Sequence, residues 1–247
     1  MDQLGEEPFF LTTYGLSVHH PFDLPADAKP LFPHDNFEHK VLNLLRYTDD
    51  SLKLFFELAQ DKPWFKNSII IITADNSQPA GGRVTNLVNY TNVYEENIWI
   101  PLLVIDNSQQ QLSGERNIVA SHIDIAPTIL DYLGIDTINH FQGRSLLPDD
   151  IDYGTSFAFS SSPLGGCMAA YREGDYKLMS RLLDNHTGSL FDMPADKNET
   201  TNLRHSLPEV YDDLNHKIFT LYSNQHYLYE NNKFWSDELQ KLFEESL

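Results

Sequence analysis

Apolar positions along the chain follow two rhythms, and each predicts a different element. From Asn36 to Gln60 they recur at Phe37, Val41, Leu44, Leu45, Leu52, Phe55, Phe56 and Ala59. That spacing places them on one face of an amphipathic helix, with the charges on the other. In Asn67-Ser-Ile-Ile-Ile-Ile-Thr-Ala-Asp75-Asn76 the rhythm stops. Four isoleucines without polar alternation predict a strand buried on both faces, the kind found inside a parallel α/β sheet. Ile98 to Ile105 predicts a second apolar strand, and Phe9 to Thr13 a further one that delivers His19 and His20 to a loop. Asp124 to Gly134 predicts a compact helix, with Asp124 as N-cap, Pro127 in the tolerated first turn and Gly134 at its end.

After Pro148 the texture changes to short strands and turns. Ala169 to Met179 predicts a hairpin folded about Glu173-Gly174-Asp175. Leu207, Val210, Leu214, Ile218 and Leu221 mark a C-terminal helix, whereas 222–234, rich in Tyr, Asn and His, follows no regular pattern. The chain therefore divides into an α/β part over 1–150 and a small antiparallel sheet over 151–247 with the C-terminal helix packed on it.

The isoleucine strand matters most for chemistry, because ligands of open α/β sheets bind beyond the carboxyl ends of the strands. Asp75 and Asn76 stand at that lip and offer a carboxylate and an amide oxygen side by side, a start for a hard divalent cation site. The same pair also closes a strand in an ordinary Asx turn, and the segment alone does not choose between the two.

The order of the pieces narrows the choice. NSIIIITADN, IWIPLLVID and SHIDIAPTILDYLGI, taken together, resemble the sulfatase branch of the alkaline phosphatase superfamily. Leu11-Thr-Thr-Tyr-Gly-Leu-Ser-Val-His19-His20-Pro21-Phe22 is similar to that family's His-x-Pro segment. Gly174 to Leu178, Ser189 to Met193 and Asp196 to Leu203 are similar to its C-terminal subdomain. The resemblance covers about residues 9 to 205. It implies a parallel-sheet-centred, alkaline phosphatase-like α/β sandwich, incomplete at its N-terminus, with a small antiparallel C-terminal subdomain.

The resemblance assigns roles by position. His19, two residues before Pro21, matches the histidine that contacts the sulfate or phosphate group, where an imidazolium stabilises developing negative charge. Asp75 and Asn76 match a pair of metal ligands. Arylsulfatases carry Asp-Asn at this point, whereas transferases of the lipoteichoic acid synthase type carry Asp-His. An all-oxygen pair suits calcium or magnesium and an imidazole suits manganese or zinc, so calcium is favoured, with manganese or magnesium as alternatives. His20, Arg83 and His122 are candidates for contact with the substrate. His122 is also read as a packing residue beside a helix start, and Arg83 as an exposed loop arginine. Glu95 and Glu96 are placed near the cleft mouth, while Tyr176 and Lys177 read as structural.

The same comparison implies a missing part. Enzymes of this family carry acidic metal ligands and a nucleophile (Cys or Ser in Cys/Ser-x-Pro-x-Arg, or a Thr in the transferases) upstream of everything matched here. The single cysteine, Cys167, is followed by Met168-Ala-Ala-Tyr-Arg172, without Pro or Arg at the required offsets, and reads as a small packed residue. A segment N-terminal to this chain is expected to complete the site for a sulfate- or phosphate-ester substrate. The resemblance implies an extracytoplasmic location, periplasmic or at the cell surface, and allows a membrane-anchored parent protein. Seventeen basic against thirty-six acidic side chains give a formal charge of −19, which argues against nucleic-acid binding.

Overall fold

The computed structural model describes residues 7–77, 93–108, 112, 114–137, 141–148, 155–162, 166–182 and 184–233. Two compact units build the chain, each discontinuous in sequence. The first comprises Met1–Leu87 and Trp99–Glu115, the second Val88–Ile98 and Arg116–Leu247.

In the first unit, helix α1 (Phe37–Ala59) realises the amphipathic pattern. Asn36 caps it, its side chain accepting from His39 N–H at 2.8 Å. The buried face carries Val41, Leu44 and Ala59, together with a polar residue that periodicity does not reveal, Asn43. Its side-chain oxygen accepts from the N–H groups of Leu31 and Phe32, and its amide donates to the Phe32 carbonyl. One buried amide thus pins the preceding loop to the helix at little desolvation cost, because every bond lost to water is replaced. The short helix α2 (Pro63–Lys66) leads into strand β1 (Ile69–Thr73).

Strand β1 pairs with β2 (Leu102–Asp106), and the pairing is antiparallel, from Ile69 opposite Asp106 to Thr73 opposite Leu102. The parallel pairing expected from the unbroken isoleucine run is not seen among the described residues. Among the described residues the four isoleucines are half-buried rather than fully buried, in a two-stranded ladder. A continuous apolar run reports burial and carries no information about partner direction. The strand expected at Phe9 to Thr13 is also not formed. Residues 9–16 run without regular structure, and Phe9 packs edge-on against Trp64 at 6.3 Å.

In the second unit, β3 (Thr155–Ser162), β4 (Gly166–Glu173), β5 (Tyr176–Arg181) and β6 (Asp184–Asp192) form an antiparallel sheet in sequence order. The β4–β5 turn is the expected one, with Gly174 at φ +57° supplying a backbone conformation that a Cβ disfavours. Alternation along the strands gives the sheet two apolar faces. Ala169, Leu178 and Leu190 pack against Tyr211, Leu214 and Ile218 of helix α5 (Pro208–Glu230). Ala170, Met179 and Phe191 pack with Val93 and Met193 on the other face. Helix α5 runs well past Tyr222, through the stretch that showed no pattern, and its Tyr222 and His226 rings stack one turn apart.

The helix that follows Asp124 starts at Ile125, where expected, but it is preceded by a further turn. A 3-10 turn, His122–Asp124, leads into α4 (Ile125–Tyr132). The N-cap is Ser121, and Asp124 is the third residue of a capping box, its carboxylate accepting from Ser121 N–H at 2.8 Å. Its other oxygen accepts from Arg144 N–H at 3.0 Å, which ties the following loop to the helix start. Gly134, at φ +65°, ends the helix as expected.

Candidate functional site

The site residues of the first unit lie on irregular backbone at the end of regular structure. Asp75 and Asn76 form a bend two residues beyond β1. The strand end is fixed by Thr73, whose hydroxyl donates to the Pro101 carbonyl at 2.9 Å beside the last ladder pair. Both residues of the pair are exposed. Asp75 Oδ1 accepts from the next residue's N–H, Asn76, at 2.8 Å, a local bond closer than that of an Asx turn.

The second carboxylate oxygen has a partner that the sequence does not announce. Tyr14 O–H donates to Asp75 Oδ2 at 2.6 Å, across sixty-one positions of sequence. The hydrogen bond to the carboxylate, and then its charge, push the Tyr14 hydroxyl above the ordinary tyrosine range. Tyr14 stands on the segment that continues to His19 and His20. No spacing rule links 14 to 75, and only the folded chain brings them together.

His19 and His20 are exposed at a turn closed by Phe22 N–H donating to the His19 carbonyl at 2.8 Å, with a cis His20–Pro21 peptide at its centre. Phe22 packs edge-on against Phe37 at 5.0 Å, anchoring the turn on the first residue of α1. His19 Nδ1 lies 2.9 Å from the His20 carbonyl oxygen, a geometry suited to an Nδ1–H donor. That contact holds the ring and leaves Nε2 to meet a ligand, as a donor when the ring is an imidazolium.

The remaining candidates fall elsewhere. Arg83 lies outside the described residues. His122 is exposed at the 3-10 turn of the second unit. Glu95 and Glu96 belong to the single helical turn α3 (Glu95–Ile98), and Glu95 is not at a cleft mouth but in an ion cluster. Lys177 on β5, 1% exposed, lies 2.7 Å from Glu95 Oε1 and 2.7 Å from Glu199 Oε1. Glu199, itself fully buried, accepts the Glu95 N–H at 2.9 Å. The structural role read for Lys177 from the sequence therefore has a specific form, a cation that holds two carboxylates from distant segments. Cys167 is half-buried on β4 against the α5 core. Burial pushes its thiol up, opposite to the shift an activated nucleophile requires.

Among the described residues, no group of three or more His, Cys, Asp or Glu side chains gathers to hold a metal ion. Asp75 and Asn76 supply two adjacent oxygen donors of the six to eight that calcium takes. The donor set fits part of a hard-cation shell.

Comparison with known proteins identifies the family. A sulfatase family model matches residues 1–135, and a model of the C-terminal region of N-sulphoglucosamine sulphohydrolase matches residues 87–224. Arylsulfatase K of Gallus gallus is 30% identical over 187 residues, covering 68% of this chain and 33% of that protein. Lipoteichoic acid synthase of Staphylococcus aureus (strain USA300) is 24% identical over 149 residues, covering 55% of this chain and 22% of that protein. A protein solved with its substrate D-glucosamine-2-N,6-O-disulfate superposes with a TM-score of 0.57 at 19% identity, over 76% of this chain and 40% of that one. At that identity the likeness concerns the fold. The chain spans about a third or less of the length of these two curated relatives. The two family models together cover nearly the whole described chain, and it belongs to the sulfatase family of the alkaline phosphatase superfamily.

Proposed function

We propose that this chain is part of a metal-dependent sulfuric ester hydrolase, in which Asp75 and Asn76 hold the cation and His19 contacts the anionic group of the substrate. The observation that supports this reading most directly is the Asp75–Asn76 pair at the carboxyl end of β1, bonded through Tyr14 to the segment that carries His19. Two oxygen donors and no imidazole favour calcium over manganese, with magnesium as the other hard-cation alternative. When bound, the cation would polarise the non-bridging oxygens of the ester.

The chain's own residues supply the rest of its share. His19, its Nδ1 held by the His20 carbonyl, presents Nε2–H to the developing negative charge. His20, Arg83 and His122 are the further contacts proposed for the substrate. The nucleophile and the remaining ligands belong, in this reading, to an N-terminal part of the same protein. Sulfate ester is the favoured substrate class, by the name of the chicken relative and by the disulfated sugar bound to the structural neighbour. The proposed location is periplasmic or at the cell surface, with an anchor elsewhere in the parent protein. No helix among the described residues is long and apolar enough to cross a membrane.

A phosphoglycerol or phosphoethanolamine transferase is the second reading, favoured by the His-His-Pro-Phe segment and the synthase relative. A non-catalytic sulfatase-like domain is the third. The test extends the chain to the natural N-terminus of its gene product and assays it on an aryl sulfate and an aryl phosphodiester, with calcium or manganese. Sulfate turnover with calcium, abolished by Asp75→Ala, is expected. Diester turnover with manganese would select the transferase, and inertness under every condition would select the non-catalytic domain.

A further inference from the structure

We infer that Tyr14 is a positioning residue for the metal pair, its hydroxyl orienting the Asp75 carboxylate and tying the His19 segment to the end of β1. The inference rests on the reading of Asp75 and Asn76 as cation ligands.

An exposed aspartate on a bend is free to rotate, and ordering it on binding costs conformational entropy. Here its carboxylate is held at both oxygens, by Asn76 N–H on Oδ1 and Tyr14 O–H on Oδ2. The 2.6 Å separation to Tyr14 is that of a charge-assisted O–H···O⁻ bond, the stronger of the two. A carboxylate oxygen carries two lone pairs, so accepting one hydrogen bond does not by itself exclude a cation. The chemistry of the donor matters as well. A lysine or arginine in this place would orient the carboxylate equally well and repel the incoming cation. A phenol orients it without adding positive charge.

Geometry gives Tyr14 a second consequence. Residues 9–16 form no ladder with a described strand, so this side-chain bond is one of the few attachments of that segment. His19 follows five positions later, and five residues of extended chain span at most about 18 Å. Holding Tyr14 on Asp75 therefore limits how far His19 can stray from the cation. Tyr14 is 67% exposed, so its ring contributes little to packing and its hydroxyl is the group that counts.

The experiment titrates calcium, and separately manganese, by calorimetry into the chain extended to the natural N-terminus of its gene product (the parent chain below), with thermal melts run with and without metal. The proteins compared are the parent chain, Tyr14→Phe and Asp75→Ala. Tyr14→Phe is expected to weaken metal affinity about 10- to 100-fold. Its metal-free melting temperature should stay that of the parent, while the metal-induced rise shrinks. Asp75→Ala should abolish both binding and the rise. If Tyr14→Phe binds as the parent does while Asp75→Ala does not bind, the positioning role is wrong and the metal-pair reading stands. A lower metal-free melting temperature with unchanged affinity would make Tyr14 a packing residue and likewise overturn the inference. A parent chain that binds neither ion, or an Asp75→Ala chain that binds as well as the parent, would remove the metal-pair reading and this inference with it.

Discussion

Lys177 is the residue on which most of the second unit's electrostatics turn. A buried ammonium between Glu95 and Glu199 joins the α3 turn, strand β5 and the loop after β6. Desolvating three charges is expensive, and the cluster holds because each charge meets an opposite one at hydrogen-bonding distance. Removing the cation alone leaves two carboxylates facing each other in a dry site. Lys177→Met should therefore cost about 3–5 kcal/mol in urea denaturation. Adding Glu95→Gln and Glu199→Gln should recover part of that loss, since no unpaired charge then remains. The lysine was readable as structural because it sits in a strand beside apolar residues. Its partners were not, because one lies 82 positions before it and the other on a loop.

Elements with local causes were legible to within a residue or two. The length of α1, the Gly174 turn and the Gly134 stop follow from chemistry acting over four or five positions. Asn36→Ala should lose about 1 kcal/mol by leaving a helix N–H without its acceptor, read as a lower urea midpoint at unchanged slope. Helix α4 starts directly after Asp124 as expected, but the Asp124 side chain does not cap it and instead accepts from Ser121 N–H, one turn earlier. Gly143 extends the same lesson. A Cβ there would collide with the Ile123 carbonyl, so Gly143→Ala should destabilise by about 1–3 kcal/mol as backbone is forced apart. Substitution at Gly15, where a Cβ meets open space, is the control and should be near neutral. The C-terminal half of α5 shows no pattern because its aromatic and amide residues have middling helix propensity and it buries no continuous apolar face, Tyr227 and Tyr229 being exposed.

Across the whole molecule, the formal charge of −19 sets conditions that no single pair controls. Raising ionic strength from about 0.01 M to about 0.15 M shortens the screening length from about 30 Å to about 8 Å. Self-repulsion should weaken, and the melting temperature should rise. A fall instead would show that exposed pairs such as Lys217 with Glu173 and Asp213 outweigh it. Acid adds a second global test through Asp196. Burial pushes its carboxyl up, but bonds from the Thr201 and Thr200 N–H groups and the Thr200 hydroxyl outweigh that and leave it below the usual range. Stability from this group is thus present above the ordinary aspartate value and lost as pH falls through the lowered folded value. Asp196→Asn should flatten the fall in stability below about pH 4, measured by urea midpoints across pH.

By itself the sequence determined what local physics determines: where helices begin and end, which residues turn, which runs are apolar, and the order of motifs that marks the sulfatase family. It also placed Asp75 and Asn76 at a strand end, because strand and bend are written in consecutive residues. Tertiary structure decided the antiparallel partner of β1, the ion cluster around Lys177 and the bond from Tyr14 to Asp75. Each of these joins residues about twenty to more than a hundred positions apart. No periodicity or spacing encodes such a contact; it exists only once packing has met the cost of closing the chain between them.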